Sequence, residues 1–192
     1  MLVLILGLVL FLGIHSMQIV AADWRLTMIA RLGEGPWKGL YSLVSAVGLV
    51  LLVWGYGLAR QDPVVLWFSP LWLKHVAVAL NLVAFILFAA YIVPAGRIGA
   101  RIGHPMILAV KTWAFAHLLA NGTLADVVLF GAFLVWALAA FRSSRQRDRA
   151  AGTVRVAGPA RNDAIAVVVG ALIWAAIVWL LHDWLIGVSP LA

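Results

Sequence analysis

The side chains of this 192-residue chain best suited to chemistry are its five histidines, His15, His75, His104, His117 and His182. All five fall within or at the edges of long apolar runs, whereas the arginine-rich stretch 142–163 has none. An ionisable group inside a membrane is costly and is a functional candidate by default. His75 and His182 sit near the ends of apolar runs, where a half-solvated imidazole is cheap and a structural role is the commoner one. His104, just before Pro105, either decorates a helix start or serves a site. His15 and His117 lie well inside their runs. Two histidines on different helices are the ordinary means by which a bundle holds a haem axially. The chain has no cysteine, which excludes disulfides, thiolate ligation of haem, iron–sulfur clusters and cysteine-type zinc sites.

The neighbours of these histidines are compatible with such a site. Trp113 and Asn121 stand four residues either side of His117, so one helix face joins an aromatic wall to a possible partner for the imidazole. Gly7 and Gly13 near His15 could admit a flat ligand or, more commonly, a neighbouring helix. Arg97 and Arg101, four apart, could clamp propionates or lipid phosphates, and cations beside apolar runs usually face headgroups. Lys111 lies seven residues into the run after His104, where inward snorkelling and a site role are both open. No carboxylate pair, Gly-rich phosphate loop or serine nucleophile motif stands out, which argues against a hydrolase or an ATP-driven transporter.

The elements that must position these groups follow from composition. With 65% hydrophobic and 11% charged residues, the chain is an all-α membrane protein, a bundle of about six transmembrane helices forming one domain. The spans are expected at about 2–22, 39–59, 71–95, 104–120, 123–141 and 164–185. Val20-Ala21-Ala22 resembles a signal-peptidase site, but a basic leader region is missing, so an uncleaved first helix is expected. Asn121-Gly122 predicts a tight hairpin between the fourth and fifth spans, and within the long polar stretch 142–163 the Gly-Thr-Val-Arg-Val-Ala-Gly-Pro portion at 152–159 reads as a mobile loop. Loops 1–2, 3–4 and 5–6 carry three, two and six Lys or Arg, against one and none in loops 2–3 and 4–5. The positive-inside rule then puts the basic loops in the cytoplasm and both termini in the periplasm of a bacterial inner membrane. The net charge of +7 is accounted for by lipid headgroups and not by nucleic acid.

On this topology His15 and His117 differ in depth by roughly 11 Å at 1.5 Å per residue. Their helices run in opposite directions and side chains lean toward the N-terminal end, so the two imidazoles lean toward each other. One iron between them is allowed.

Phe-Leu-Gly-Ile-His-Ser at 11–16, Lys74-His75, His104-Pro105-Met106, Trp113-Ala-Phe-Ala-His-Leu-Leu-Ala-Asn-Gly at 113–122 and His-Asp-Trp-Leu-Ile-Gly-Val at 182–188 resemble the NnrU family over essentially the whole chain. That resemblance implies an association with bacterial denitrification and nitrite and nitric oxide reduction. It also implies a likeness to the 15-cis-ζ-carotene isomerase, and with it a haem b held by His15 and His117. Ala114 stands where the isomerase likeness leads one to expect a cysteine, so a thiolate ligand switch is impossible here. The candidate cofactor site is His15, His117, His104, Arg97, Arg101, Trp113 and Asn121. Expected roles are sensing, electron transfer or reductase maturation, with haem-dependent isomerisation of a hydrophobic polyene as the alternative. Expected partners are membrane lipid and either a lipophilic substrate or a respiratory protein. A membrane methyltransferase fits less well, because Gly103 replaces the arginine of an Arg-His-Pro motif and no acidic pair follows. A structural subunit without a cofactor is the baseline.

Overall fold

The computed structural model describes residues 1–191. Its helices are α1 (Leu2–Val20), α2 (Ala22–Leu32), α3 (Glu34–Ala59), α4 (Leu71–Ile92), α5 (Arg97–Ile102), α6 (Pro105–Ala120), α7 (Leu124–Ala150), α8 (Ala160–Ala176) and α9 (His182–Ile186). A π-helical turn, Ile177–Leu181, joins the last two. Five helical stretches are long and apolar enough to cross a membrane, beginning at Leu2, Glu34, Leu71, Leu124 and Ala160. The sixth apolar helix, α6, has 16 residues, a length of roughly 24 Å at 1.5 Å per residue. The fold is therefore that of an all-α membrane protein. Among the described residues no strand forms beyond one isolated bridge, Val65 with Thr123.

Two helices occupy stretches expected as connections. In α2, Trp24 and Leu26 are exposed and Arg25 is half-buried, a polar–apolar mixture suited to an interface plane. Trp24 meets Trp37 of α3 edge-on, with ring centroids 5.9 Å apart. The short α5 is held against α8 because Asp163 accepts hydrogen bonds from the Arg97 and Ile98 amides at 3.0 and 2.9 Å, and Asn162 donates to the Ala95 carbonyl at 3.0 Å. A carboxylate at an exposed helix start satisfies amides that no helical carbonyl can reach.

The packing order differs from the chain order. α1 packs on α3 and α7, α6 lies between α7 and α4, and α4 carries α8 on its other flank. Consecutive helices α3 and α4 thus stand in different parts of the bundle. The extended 60–70 segment bridges them by running beneath the α6–α7 turn, where the Leu66 amide donates to the Gly122 carbonyl at 2.8 Å and the Leu124 amide to the Val64 carbonyl at 2.8 Å.

Small residues allow the closest contacts. A methyl group added at Gly48 would lie 2.7 Å from the Phe11 amide nitrogen, and Gly7 and Gly55 press still closer on the backbones at Leu52 and Leu4. Gly13, by contrast, meets nothing. Helix packing is therefore what Gly7 serves. The core beside this seam contains Leu4, Leu8, Leu52, Leu129 and Phe130, while Leu2, Val9, Val53 and Leu172 point outward as lipid-facing groups do.

The polar stretch 142–163 is partly helical, and its 152–159 portion, expected as a mobile loop, makes tertiary contacts. α7 continues to Ala150, and the following segment packs against the rest of the protein: Gly158 abuts the Ala95 carbonyl and the Arg155 guanidinium lies against Gly103.

Candidate functional site

A cavity of about 590 Å³ opens among α4, α6, the start of α7 and the π-helical turn. Its polar lining includes Lys74, Asn81, His117, Asn121, Asp126 and His182, and its apolar lining includes Val78, Phe85, Ile177 and Val178.

His117 projects from the last turn of α6. Its Nδ1 lies 2.9 Å from the Trp113 carbonyl one turn earlier, so Nδ1 carries the proton and donates, which leaves Nε2 with a free lone pair. The ring is stacked on Phe130 at 4.6 Å and flanked by Trp113 at 5.1 Å, two contacts that fix its plane. A histidine oriented through Nδ1 with Nε2 unspent is prepared for ligation or for accepting a proton. Asn121 lines the same cavity, but its amide donates to the His117 carbonyl at 2.9 Å and not to the imidazole.

Asp126 does not stand out from the sequence alone. This carboxylate is 5% exposed and accepts hydrogen bonds from the Tyr56 hydroxyl at 2.5 Å, the Thr123 amide at 2.9 Å and the Thr123 hydroxyl at 2.6 Å. The Asp126 amide returns a bond to Thr123 Oγ1 at 3.3 Å, closing a capping box at the start of α7. Thr-x-x-Asp after the Asn121-Gly122 turn was the available signal. The Tyr56 partner, 70 residues away, had none.

His15 also bonds its own helix through Nδ1, 2.6 Å from the Phe11 carbonyl, and so keeps Nε2 free. It lines a different cavity of about 320 Å³ among α1, α2 and α3. Between the two histidines runs a row of rings: His15 to Phe11 at 4.3 Å, Phe11 to Phe133 at 5.9 Å, Phe133 to Trp113 at 5.4 Å and Trp113 to His117 at 5.1 Å. The structure thus gathers Trp113, His117 and Asn121 at one cavity and places His15 at another.

The remaining candidates lie elsewhere. His104 Nε2 is 2.8 Å from Asp148 Oδ2, and Arg155 pairs with the same oxygen at 2.8 Å, so this histidine ties the start of α6 to the end of α7. Burial alone would raise the Asp148 carboxyl, but hydrogen bonds from Arg155 and His104 outweigh it and hold the group below the usual aspartate range. Arg97 and Arg101 are exposed on α5, and His75 is exposed on α4. His182 lines the larger cavity, with Nδ1 2.6 Å from the Val188 carbonyl. Among the described residues no three His, Asp or Glu side chains gather as a metal-ligand cluster, whereas a haem iron needs one or two.

Long apolar helices lining a cavity with a few convergent polar groups define a multi-pass α-helical membrane protein with a candidate ligand site. The sequence matches the family model described as NnrU protein over residues 3–190, and the chain belongs to the NnrU family. Comparison with curated proteins and with solved structures finds no match.

Proposed function

We propose that this NnrU-family membrane protein binds a haem b at the larger cavity through His117 and supports nitrogen-oxide respiration by sensing, electron transfer or reductase maturation. The observation that carries the reading is the oriented imidazole of His117, with Nδ1 committed to Trp113 and Nε2 unspent at a cavity of about 590 Å³. That volume lies within the range of cofactor sites. Phe85, Val178 and Ile177 supply apolar walls for a macrocycle, and Lys74 supplies a cation suited to its carboxylates. A bound haem supplies redox and gas-binding chemistry. The protein's part is to hold the ligand, exclude water and set the plane of the imidazole through Phe130 and Trp113. Membership of the family supports the link to denitrification.

A second reading, haem-dependent isomerisation of a lipophilic polyene, draws support from the same apolar walls, and carotenoid analysis of cells with and without the protein separates the two. The haem reading is tested by the absorption spectrum of the full chain, purified after expression with ample haem. A Soret band is expected, abolished by His117→Ala and retained by His15→Ala. Wild-type protein without the band, or an unchanged band in His117→Ala, overturns it.

A further inference from the structure

The smaller cavity is the meeting place of three polar groups from three helices, none of which has spent its capacity. His15 of α1 has bonded the Phe11 carbonyl through Nδ1 and keeps Nε2. Arg25 of α2 is half-buried, yet its guanidinium forms no hydrogen bond or ion pair among the described residues. The Tyr41 hydroxyl of α3 has no hydrogen-bond partner among them either. His15 and Tyr41 rings stand edge to face at 5.3 Å, and Arg25 lies near enough to Tyr41 to act on its hydroxyl electrostatically. Behind His15, the ring of Trp136 is edge-on at 6.2 Å and its indole N–H is buried without a partner. Lys38 and Glu34 also line the cavity, but neutralise each other at 2.8 Å and are mostly exposed. The uncompensated charge is therefore that of Arg25.

A half-buried cation without a counter-ion, beside unspent hydrogen-bonding groups, is an energetic deficit that an anion would remove. The planar guanidinium fork matches the two oxygens of a phosphate, and a cavity of about 320 Å³ is at the small end of ligand sites. Its surroundings place it at headgroup level. The cavity lies where α1 ends and α3 begins, beneath the amphipathic α2, whose Trp24, Leu26 and Leu32 are exposed.

We propose that this cavity binds the phosphate group of a membrane phospholipid, with Arg25 as the bidentate anchor and Tyr41 and His15 as further hydrogen-bonding partners. The site is independent of the haem reading, which rests on His117.

The test is native mass spectrometry of the purified full chain titrated with phosphatidylglycerol, with and without inorganic phosphate as competitor. Arg25→Ala is expected to weaken phosphatidylglycerol retention by about tenfold, the scale of a lost charge-assisted hydrogen bond. Tyr41→Phe is expected to weaken it less. Arg31→Ala removes the same charge from an exposed position on the same helix and is expected to leave retention unchanged. Competition by inorganic phosphate would identify a phosphate site open to water, and its failure a site reached from the bilayer; both agree with phosphate recognition. Equal retention in Arg25→Ala and wild type, or equal losses in Arg25→Ala and Arg31→Ala, overturns the proposal. Should Arg25→Ala fail to fold, Arg25→Lys decides: the charge without the fork should give an intermediate loss, and full retention refutes the bidentate anchor.

Discussion

Asp126 ties the start of α7 to α3. Its carboxylate is buried and receives donors from Tyr56 and Thr123, so removing it strands a buried hydroxyl and an amide together. Asp126→Ala should cost about 3 kcal/mol and Tyr56→Phe about half as much, because the latter removes one donor and leaves the capping box intact. Thermal unfolding of the detergent-solubilised protein measures both, with exposed Asp62→Asn as a control near zero; equal costs for the two variants would show that Tyr56 carries the network. At this scale the sequence was informative about type and weak on company. His117, Trp113 and Asn121 could be grouped because four-residue spacing on one helix fixes a shared face. The pairing of His15 with His117 rested on depth along two helices, and depth does not show that Phe11, Phe133 and Trp113 fill the space between. Tyr56 and Arg25 were illegible for the same reason, since their roles come from neighbours on other helices.

Among the elements, α1 and α3 meet along a seam of glycines. Gly48→Ala should lower stability by about 1–3 kcal/mol, because the new methyl would press on the Phe11 backbone, which cannot move aside as a flexible side chain can. Gly13→Ala meets open space and should be neutral or slightly stabilising in the same unfolding assay. At the opposite end of α6, the joint made by His104, Asp148 and Arg155 should respond to acid. Because the folded Asp148 carboxyl is held below its unfolded value, its contribution is complete above the ordinary aspartate range and drains as pH falls through the folded value. Hydrogen exchange over 151–158, corrected for its intrinsic pH dependence, should accelerate in that acidic window in wild type and be fast throughout in Asp148→Asn. No acid-dependent change in wild type would show that the segment is held by other contacts. The long apolar helices were readable from hydropathy, whereas α2 and α5 were not: one mixes polar and apolar residues over 11 positions and the other has six. The π-helical turn before His182 left no trace in composition.

For the whole molecule, the decisive quantity is the number of crossings. If α6 spans despite its 16 residues, the bundle has six crossings, and reporter fusions at the two termini report one compartment while a fusion at residue 150 reports the other. The excess of Lys and Arg in loops 1–2, 3–4 and 5–6 predicts residue 150 in the cytoplasm and both termini outside, which the same fusions check. Termini in opposite compartments would make α6 a re-entrant element and leave five crossings. The packing order α3, α1, α7, α6, α4, α8 was beyond sequence reasoning, because hydropathy locates helices along the chain and is silent on which of them touch.

That order bears on how the protein is made. The 60–70 segment takes its backbone partners from Gly122 and Leu124, which emerge from the ribosome only after α4, α5 and α6 have been synthesised. Until then α3 and α4 have no tertiary framework to fix their separation, and α1 must wait for α7 to complete its flank. Assembly in the bilayer is thus obliged to run backwards in part, with later helices inserted between earlier ones. A chain arrested before residue 122 would hold four apolar helices and none of the backbone contacts that set the distance between its two halves.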